Sequence, residues 1–391
     1  MPDLTRLSKR VQGFTESVIR EMTRVVAQHG GVNLAQGMPN FPPPQALVDA
    51  AHRALDGDFH QYAITWCAPN LRAAIADKYR RFYDMDVDPE RNVTVCCGST
   101  ETMLSTLLAV LNPGDEVIIF EPFYENYGPG CIISGAEPIW IPLEGPDFTF
   151  DPERLRAAVS PRTRAIVFNS PNNPSGKVFS RAELEVIADV CRRHDLLAIT
   201  DEIYEHIVYD GEVHVPIATL PDMAERTITI SGISKSYSVT GWRVGYAIAP
   251  SEISDGIRRA HDFVTVGAPA PLQEAAVTAL RFPDRYYVEL RTAYQARRDL
   301  LLGYLERAGF VCNRPRGAYY ILTDVAHFMK RYGIQDDAAF AMWLITECGV
   351  ATVPGSSFYA HSDLGRTKIR FCFPKTDDML RDAGERLQKL S

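Results

Sequence analysis

Short apolar runs alternate with amphipathic stretches between about residues 90 and 250. The runs are rich in β-branched and aliphatic residues, which favours strands, and they lie at 92–97, 115–120, 164–169, 196–200, 227–230 and 246–249. Between two of them, Ser180-Arg-Ala-Glu183 is a capping-box sequence that opens a helix with one apolar face. Strands separated by crossover helices pair in parallel, so we expect an α/β domain with a mostly parallel sheet and helices on both faces.

The pattern changes in the last third of the chain. Residues 270–310 have a helical pattern with a break near Pro283, and short apolar runs follow at 318–322 and 367–373. This mixture predicts a smaller α+β domain. We expect the amino-terminal forty residues to pack against it, so that the large domain comprises 46–284 and the small domain is built from both termini, 1–45 and 285–391.

Composition limits the class of protein. The 391 residues are 46% hydrophobic, and 41 basic against 49 acidic residues give a net charge of −8, which gives no reason to expect nucleic acid as a partner. We find no signal peptide and no run of membrane-spanning length, so we expect a cytoplasmic protein that does not bind membranes. The eight cysteines have neither paired nor metal-ligand spacing. We therefore expect buried thiols and no metal.

The main candidate for chemistry is Lys235, which follows the apolar run 227–230 in Ser231-Gly-Ile-Ser234-Lys235-Ser. A lysine at the end of a core strand can lose its proton, because desolvation disfavours the ammonium form, and can then condense with an aldehyde. The nearby hydroxyls and Arg243 suit a phosphate. An aldehyde with a phosphate indicates pyridoxal 5'-phosphate (PLP). For an isolated Ser-Lys pair, a solvated strand end would be the better interpretation.

Other polar groups also follow predicted strands. They are Gly98-Ser99-Thr100, which opens a helix and suits an anion, the segment from Asn169 to Gly176, and Asp201. Ligands of parallel sheets bind at the carboxyl ends of the strands, so these groups can share one pocket with Lys235. Taken alone, Asp201 is equally well explained as a helix N-cap, and for the Ser99 turn a capped helix without a ligand is the better interpretation.

In this order and spacing, the motifs from Gly37 to Arg370 resemble the class I/II aminotransferases, PLP enzymes of fold type I. The resemblance covers nearly the whole chain and implies a seven-stranded type of sheet. It implies that Lys235 carries the cofactor and acts as the base, that Asp201 pairs with the pyridine nitrogen, and that Tyr204 and Asn173 bond the phenolic oxygen. An anion beside the ring nitrogen keeps it protonated and electron-withdrawing.

The same resemblance assigns the remaining contacts. It implies phosphate ligands at Ser99, Thr100, Ser231, Ser234 and Arg243, and ring stacking by Tyr124, whose neighbour Tyr127 we assign to the core. Arg370, an arginine within an apolar run, would bind the substrate α-carboxylate together with Gly37 and Asn173, since a buried guanidinium needs an anion. Tyr62 would reach the phosphate of a neighbouring subunit, which implies a homodimer with shared active sites.

The sequence therefore predicts an L-amino acid:2-oxo acid aminotransferase with 2-oxoglutarate or pyruvate as acceptor. The segment 261–267 offers no confident arginine for a distal carboxylate, and Phe41-Pro-Pro-Pro44 is similar to a branch that handles aromatic, methionine and glutamine side chains. We therefore expect broad or neutral donors. The alternatives are an aspartate aminotransferase and a PLP-dependent β/γ-lyase on the same scaffold. A regulator with a fused DNA-binding domain would need chain outside the resemblance.

Overall fold

The computed structural model describes residues 6–14 and 16–390. Its helices are α1 Lys9–Gln12, α2 Val18–Gln28, α3 Gln45–Asp56, α4 Pro69–Tyr83, α5 Ser99–Val110, α6 Tyr127–Ser134, α7 Pro152–Ala157, α8 Arg181–His194, α9 Ser251–Val264, α10 Ala270–Leu280, α11 Asp284–Arg307, α12 Ala326–Tyr332, α13 Asp337–Cys348 and α14 Asp377–Leu387. Its strands are β1 Val32–Asn33, β2 Val93–Cys96, β3 Glu116–Glu121, β4 Glu137–Pro142, β5 Thr163–Asn169, β6 Leu197–Asp201, β7 Thr227–Gly232, β8 Gly245–Ile248, β9 Val311–Cys312, β10 Tyr320–Asp324, β11 Val350–Ala351, β12 Val353–Pro354 and β13 Lys368–Cys372.

The large sheet has seven strands in the order β2-β8-β7-β6-β5-β3-β4. Only β8 runs against its neighbours, β2 and β7, while the other pairs are parallel. The predicted α/β fold with a mostly parallel sheet is thus confirmed. The apolar pattern did not predict β4. This edge strand begins with a glutamate and a proline, its first residue is exposed, and the next three are half-buried.

Local sequence explains the crossover helix α8. Ser180 accepts a hydrogen bond from the backbone N–H of Glu183, and the Glu183 carboxylate accepts one from the backbone N–H of Ser180, so the predicted capping box is present. The apolar face buries Leu184, Ile187, Ala188 and Cys191. Packed on the sheet, this face joins the core cluster that contains Ile118 and Ile166.

A second, four-stranded antiparallel sheet has the order β12-β13-β10-β9. The amino-terminal segment joins this part of the molecule, since β1 pairs in parallel with β11 and α2 contacts β11, β12 and α13. The helical stretch breaks into α10 and α11 at Pro283, where the break was expected. The domain limits of 46–284, 1–45 and 285–391 stay a prediction.

The topology directs several polar segments to one edge of the large sheet. Strands β5, β6 and β7 are parallel and end at Asn169, Asp201 and Gly232. Gly245, which opens β8, allows the chain to pass close to the turn before α5, since a Cβ at this position would lie 2.3 Å from the backbone nitrogen of Ser99. In the described residues, no helix combines the length and the apolar character needed to cross a bilayer.

Candidate active site

A cavity of about 370 Å³ lies at the carboxyl edge of the large sheet. Parallel strands place their carboxyl ends on one edge, which explains why segments distant in sequence meet there. The walls contain most of the predicted site residues, namely Gly37, Ser99, Thr100, Tyr124, Asn173, Asp201, Tyr204, Ser234, Lys235, Arg243 and Arg370. The two other predicted residues, Ser231 and Tyr62, do not line it.

Lys235 lies three residues beyond β7 and is enclosed by the cavity wall. Desolvation lowers its pKa to about 8, although the nearby Asp201 carboxylate opposes this shift. The positive charges of Arg243 and Arg370 add to the lowering. A substantial fraction of this amine is therefore neutral near physiological pH, as a nucleophile or base requires.

Asp201 ends β6 and is buried. Burial raises the pKa of its carboxyl group, while a hydrogen bond from the Tyr127 hydroxyl to Oδ2 at 2.7 Å opposes this shift. The backbone N–H of Ile203 donates to Oδ1 at 3.3 Å. The carboxylate is thus fixed in orientation and lacks a full counter-charge, so a cation in the cavity would stabilise it.

The hydroxyls of Tyr204 and Tyr320 lie 3.0 Å apart, and both rings are buried. Burial raises the pKa of both phenols, Tyr204 most clearly. Tyr204 therefore stays protonated and can donate a hydrogen bond into the cavity. Tyr320 also explains Gly37, since a Cβ at position 37 would lie 2.1 Å from the Tyr320 hydroxyl oxygen.

Arg370 is fully buried on β13. Its Nη1 donates to the Asn173 side-chain oxygen at 2.8 Å, and its Nη2 donates to the carbonyl oxygen of Ala35 at 2.5 Å. These partners are neutral, and among residues 6–14 and 16–390 Nε finds no hydrogen-bond partner although it is buried. A buried guanidinium without a carboxylate is costly, so this corner of the cavity is suited to an anion.

The opposite end of the cavity is formed by the turn before α5 and by Arg243. Gly98 has φ +81°, and a Cβ there would lie 2.2 Å from Nη2 of Arg243, so only glycine allows this guanidinium to approach the turn. Arg243 Nη1 donates to the carbonyl oxygen of Thr240 at 2.8 Å. The helix start, Arg243 and the hydroxyls of Ser99, Thr100 and Ser234 together can bind a phosphate.

Ser231 is fully buried on β7 and its hydroxyl donates to Glu205 at 2.7 Å, away from the cavity wall. We therefore do not include it among the phosphate ligands. Tyr62 is 86% exposed, so within one chain it has no site contact and any active-site role needs a second chain.

These residues fit PLP on their chemistry. The amine of Lys235 with its lowered pKa suits the aldehyde, and the undercompensated carboxylate of Asp201 suits a protonated ring nitrogen. The glycine-dependent cradle at Gly98 and Arg243 suits the phosphate. Arg370, which lines the cavity and has no carboxylate partner among the described residues, suits a substrate carboxylate.

The comparisons with known proteins agree. The model of the family "Aminotransferase class I and II" matches residues 29–387. A probable N-succinyldiaminopimelate aminotransferase of Mycobacterium tuberculosis is 38% identical over 98% of both chains, and the solved structure of that enzyme superposes with a TM-score of 0.94 over 98% of this chain and 100% of that chain. Human kynurenine–oxoglutarate transaminase 1 is 36% identical over 98% of this chain and 97% of its own, and the methionine aminotransferase of Escherichia coli is 34% identical over 96% of each.

The fold and this cavity define a PLP-dependent enzyme of fold type I. The chain belongs to the class I and II aminotransferases. Membership of this family confirms the predicted transfer of amino groups and the predicted cofactor. The substrates of the enzyme are amino acids and 2-oxo acids. Neither alternative, the aspartate aminotransferase or the lyase, is favoured by the relatives.

Tyr127, Tyr320 and Arg20 are among the cavity-wall side chains that sequence reasoning missed. Tyr127 is buried as expected of a core residue, but it also orients Asp201. Tyr320 orients Tyr204 and stacks under Arg370, whose guanidinium carbon lies 4.3 Å from the ring centroid. An aromatic in an apolar segment carries no signal for such roles. Arg20, on the exposed side of α2, also reaches the cavity.

Proposed function

We propose that this aminotransferase takes broad or neutral amino donors, including aromatic, methionine and glutamine types, and returns the amino group to 2-oxoglutarate or pyruvate. The observation that carries this proposal is the pairing of one deeply buried carboxylate receptor, Arg370, with a mouth that contains Ile19 and Met38. The α-carboxylate is held in one place while the side chain meets apolar groups. The kynurenine and methionine aminotransferases among the relatives support the same donor class.

Each residue has a defined task in this proposal. When bound, PLP supplies a reactive aldehyde and an electron-withdrawing ring. Arg370 binds the α-carboxylate with two parallel N–H groups and so orients the Cα–H bond. Lys235 Nζ, about half neutral near pH 8, would move a proton from the substrate Cα to the aldehyde-derived carbon of PLP in the first half-reaction, and in the opposite direction in the second. Asp201, held by Tyr127, supplies the negative charge opposite the ring nitrogen.

The donor class is tested by mixing the purified protein, loaded with PLP, with a panel of amino acids in single turnover and recording loss of the cofactor absorbance. We expect methionine, glutamine and aromatic donors to react faster than aspartate. Formation of 2-oxo acid and ammonia without an acceptor would instead indicate elimination. Borohydride reduction followed by peptide mapping should attach the cofactor to Lys235 and to no other lysine.

We further propose that two chains associate and share their active sites. Large apolar side chains are exposed in two neighbouring segments, joined by a 3.0 Å hydrogen bond from Thr65 to Asp262. They are Phe59, Tyr62, Ile64, Phe263, Val264 and Val266. The Cys97 thiol, next to the phosphate turn, contacts the carbonyl oxygen of Gly267, so this surface adjoins the cavity. A second copy would cover it and bring Tyr62 to the partner's phosphate end.

Sedimentation of the wild type should show a dimer, and Phe263→Asp should weaken it. Tyr62→Ala and Lys235→Ala, each of low activity alone, should recover activity when mixed and allowed to exchange subunits, because one hybrid site then carries both native residues. Recovery that fails although hybrid dimers form would contradict shared sites.

A further inference from the structure

One cation of the cavity has no task in the proposed chemistry. The charged residues of the wall are Arg20, Glu125, Asp201, Lys235, Arg243 and Arg370. Arg243 serves the phosphate end and Arg370 the α-carboxylate, while Asp201 and Lys235 serve the reacting centre. Arg20 and Glu125 remain, and both belong to the part of the wall formed by α2 and the segment before α6.

The start of α2 is joined to this wall. The Ser17 hydroxyl donates to a carboxylate oxygen of Glu125 at 2.5 Å, and Ser17, Ile19 and Arg20 all line the cavity. The backbone N–H of Arg20 bonds the carbonyl oxygen of Ser17, which fixes the first turn. These contacts fix the backbone of Arg20 at the mouth of the cavity.

The Arg20 side chain is exposed, and within residues 6–14 and 16–390 its guanidinium forms no hydrogen bond and no ion pair shorter than 4 Å. One turn further along α2, Arg24 donates to both carboxylate oxygens of Glu16, at 2.5 and 3.1 Å. Glu16, whose carboxyl pKa is lowered mainly by Arg24 and also by the charge of Arg20, is thus hydrogen-bonded by Arg24. Arg20 keeps its donors available for a ligand in the cavity.

We propose that Arg20 binds the distal carboxylate of a dicarboxylic 2-oxo acid and so favours acceptors of the 2-oxoglutarate type over monocarboxylic ones such as pyruvate. This inference rests on the proposed function. With the α-carboxylate on Arg370, the rest of the acceptor extends towards the mouth, where Arg20 supplies a forked pair of donors. A neutral donor side chain would contact Ile19 and Met38 there, with the exposed guanidinium turned to water.

Glu125 limits the effect expected of Arg20, because a carboxylate at the mouth repels a second anion. One of its oxygens is occupied by the Ser17 hydroxyl, which reduces this repulsion without removing its charge. We therefore expect a modest gain from Arg20. A charge-assisted hydrogen bond at a partly solvated site corresponds to roughly tenfold in binding.

The test compares Arg20→Gln with Arg24→Gln, which removes the same charge from the same helix one turn away from the cavity. We expect Arg20→Gln to raise the KM for 2-oxoglutarate roughly tenfold, with the KM for pyruvate nearly unchanged. Calorimetry on the PLP-loaded enzyme should show the same loss for glutarate and none for butyrate, which lacks the second carboxylate. Arg24→Gln should change neither the KM values of the two acceptors nor the affinities for glutarate and butyrate. Arg20→Lys should restore part of the preference for 2-oxoglutarate over pyruvate.

The outcomes separate the two proposals. Equal losses for both acceptors, or an unchanged preference in Arg20→Gln, would overturn the role of Arg20 while leaving transamination of neutral donors intact. If the wild type transfers amino groups from none of the neutral donors but still binds glutarate more tightly than Arg20→Gln does, the donor proposal fails and the anion site remains.

Discussion

Lys78 and Lys235 are two lysines shielded from bulk water in the same molecule, and their pKa values move in opposite directions. Lys78 is buried on α4 and donates to Glu205 and to the Tyr246 hydroxyl, the latter at 2.8 Å. Although burial opposes it, the charge of Glu205 raises the pKa of Lys78 above its usual range. Lys235 has no carboxylate within ion-pair distance in the described residues, and burial lowers its pKa to about 8.

The surroundings of Glu205 explain the difference. Its carboxylate accepts from Lys78, from the Ser231 hydroxyl at 2.7 Å and from the Tyr83 hydroxyl at 2.7 Å, and the positive charge of Lys78 helps to hold its pKa at about 2 against the effect of burial. Asp201 has instead a tyrosine and a backbone N–H as partners, and its pKa is raised by burial. The charges of the first cluster neutralise each other, whereas we propose that the cofactor and substrate complete the second.

The largest effect should come from exchanging each lysine for alanine. Lys235→Ala removes the base and should lower turnover by at least ~10³-fold, without reducing the free energy of unfolding of the apoprotein, because its partner charges lie in an open cavity. Lys78→Ala should affect the stability of the protein and not the chemical step. It should lower the free energy of unfolding by about 3–5 kcal/mol, since Glu205 is left buried and unpaired. Steady-state rates and urea denaturation of both apoproteins measure the two effects.

Whether the charges of Lys78 and Glu205 neutralise each other can be tested by removing both. Lys78→Met alone should cost about 3–5 kcal/mol, whereas Lys78→Met with Glu205→Gln should cost clearly less, because no buried charge remains and the Gln amide can accept from one of the Ser231 and Tyr83 hydroxyls and donate to the other. Urea midpoints and slopes of the wild type, both single variants and the double variant give the coupling. A double variant as unstable as the sum of the single variants would contradict a mutually neutralised pair.

The lowered pKa values of Lys235 and Glu205 predict a stability that rises with pH in two different ranges. The pKa of Lys235 is about 8 when folded, below its usual 10.5, so the unfolded chain binds more protons between these values and Lys235 makes the apoprotein more stable as pH rises through this window. Glu205 has a folded pKa of about 2, below its usual 4.5, so its contribution is present above pH 4.5 and is lost as pH falls towards 2.

Labelling of the apoprotein by trinitrobenzenesulfonate, followed by peptide mapping, checks the first half of this prediction. The rate at Lys235 should rise with pH and reach half of its maximum near pH 8. Lys78 should stay unlabelled in the folded protein throughout this range. Half-maximal labelling of Lys235 near 10.5, its usual pKa, would mean that the cavity does not depress it.

The sequence allowed the prediction of residues whose chemistry is unusual for their position. A lysine and an aspartate directly after apolar strands, and an arginine within one, are exceptional in a core, so Lys235, Asp201 and Arg370 could be selected before the fold was known. Parallel topology then predicted that the first two would share an edge of the sheet with Ser99 and Asn173. The structure brings these residues to one cavity.

Residues whose type is ordinary for their position could not be selected in this way. Tyr127 and Tyr320 are aromatics in buried elements, and Arg20 is an arginine on an exposed helix face. Ser231 shows the opposite case, because its place in the lysine motif suggested a phosphate ligand. On strand β7 its side chain instead bonds Glu205, so it serves the buried Lys78 cluster.

The smallest expected effect concerns the hydrogen bond that joins the core to the site. Tyr127→Phe removes the 2.7 Å bond to Asp201 Oδ2, so the pKa of Asp201 should rise further and its carboxylate should support the protonated ring less well. Since a hydrogen bond to a charged group corresponds to about 1.5–3 kcal/mol, we expect kcat to fall by roughly ten- to a hundredfold. Phe123→Leu, in the same segment but not on the cavity wall, is the matched control for packing.

Because Asp201 would carry its negative charge only at higher pH, the acidic limb of the kcat profile should also shift upward in Tyr127→Phe and stay fixed in the control. A loss of kcat with an unmoved acidic limb would mean that Tyr127 contributes packing alone. The contrast between the Lys78–Glu205 pair, whose charges neutralise each other, and the cavity charges, which need ligands, would then depend on Lys235 and Arg370.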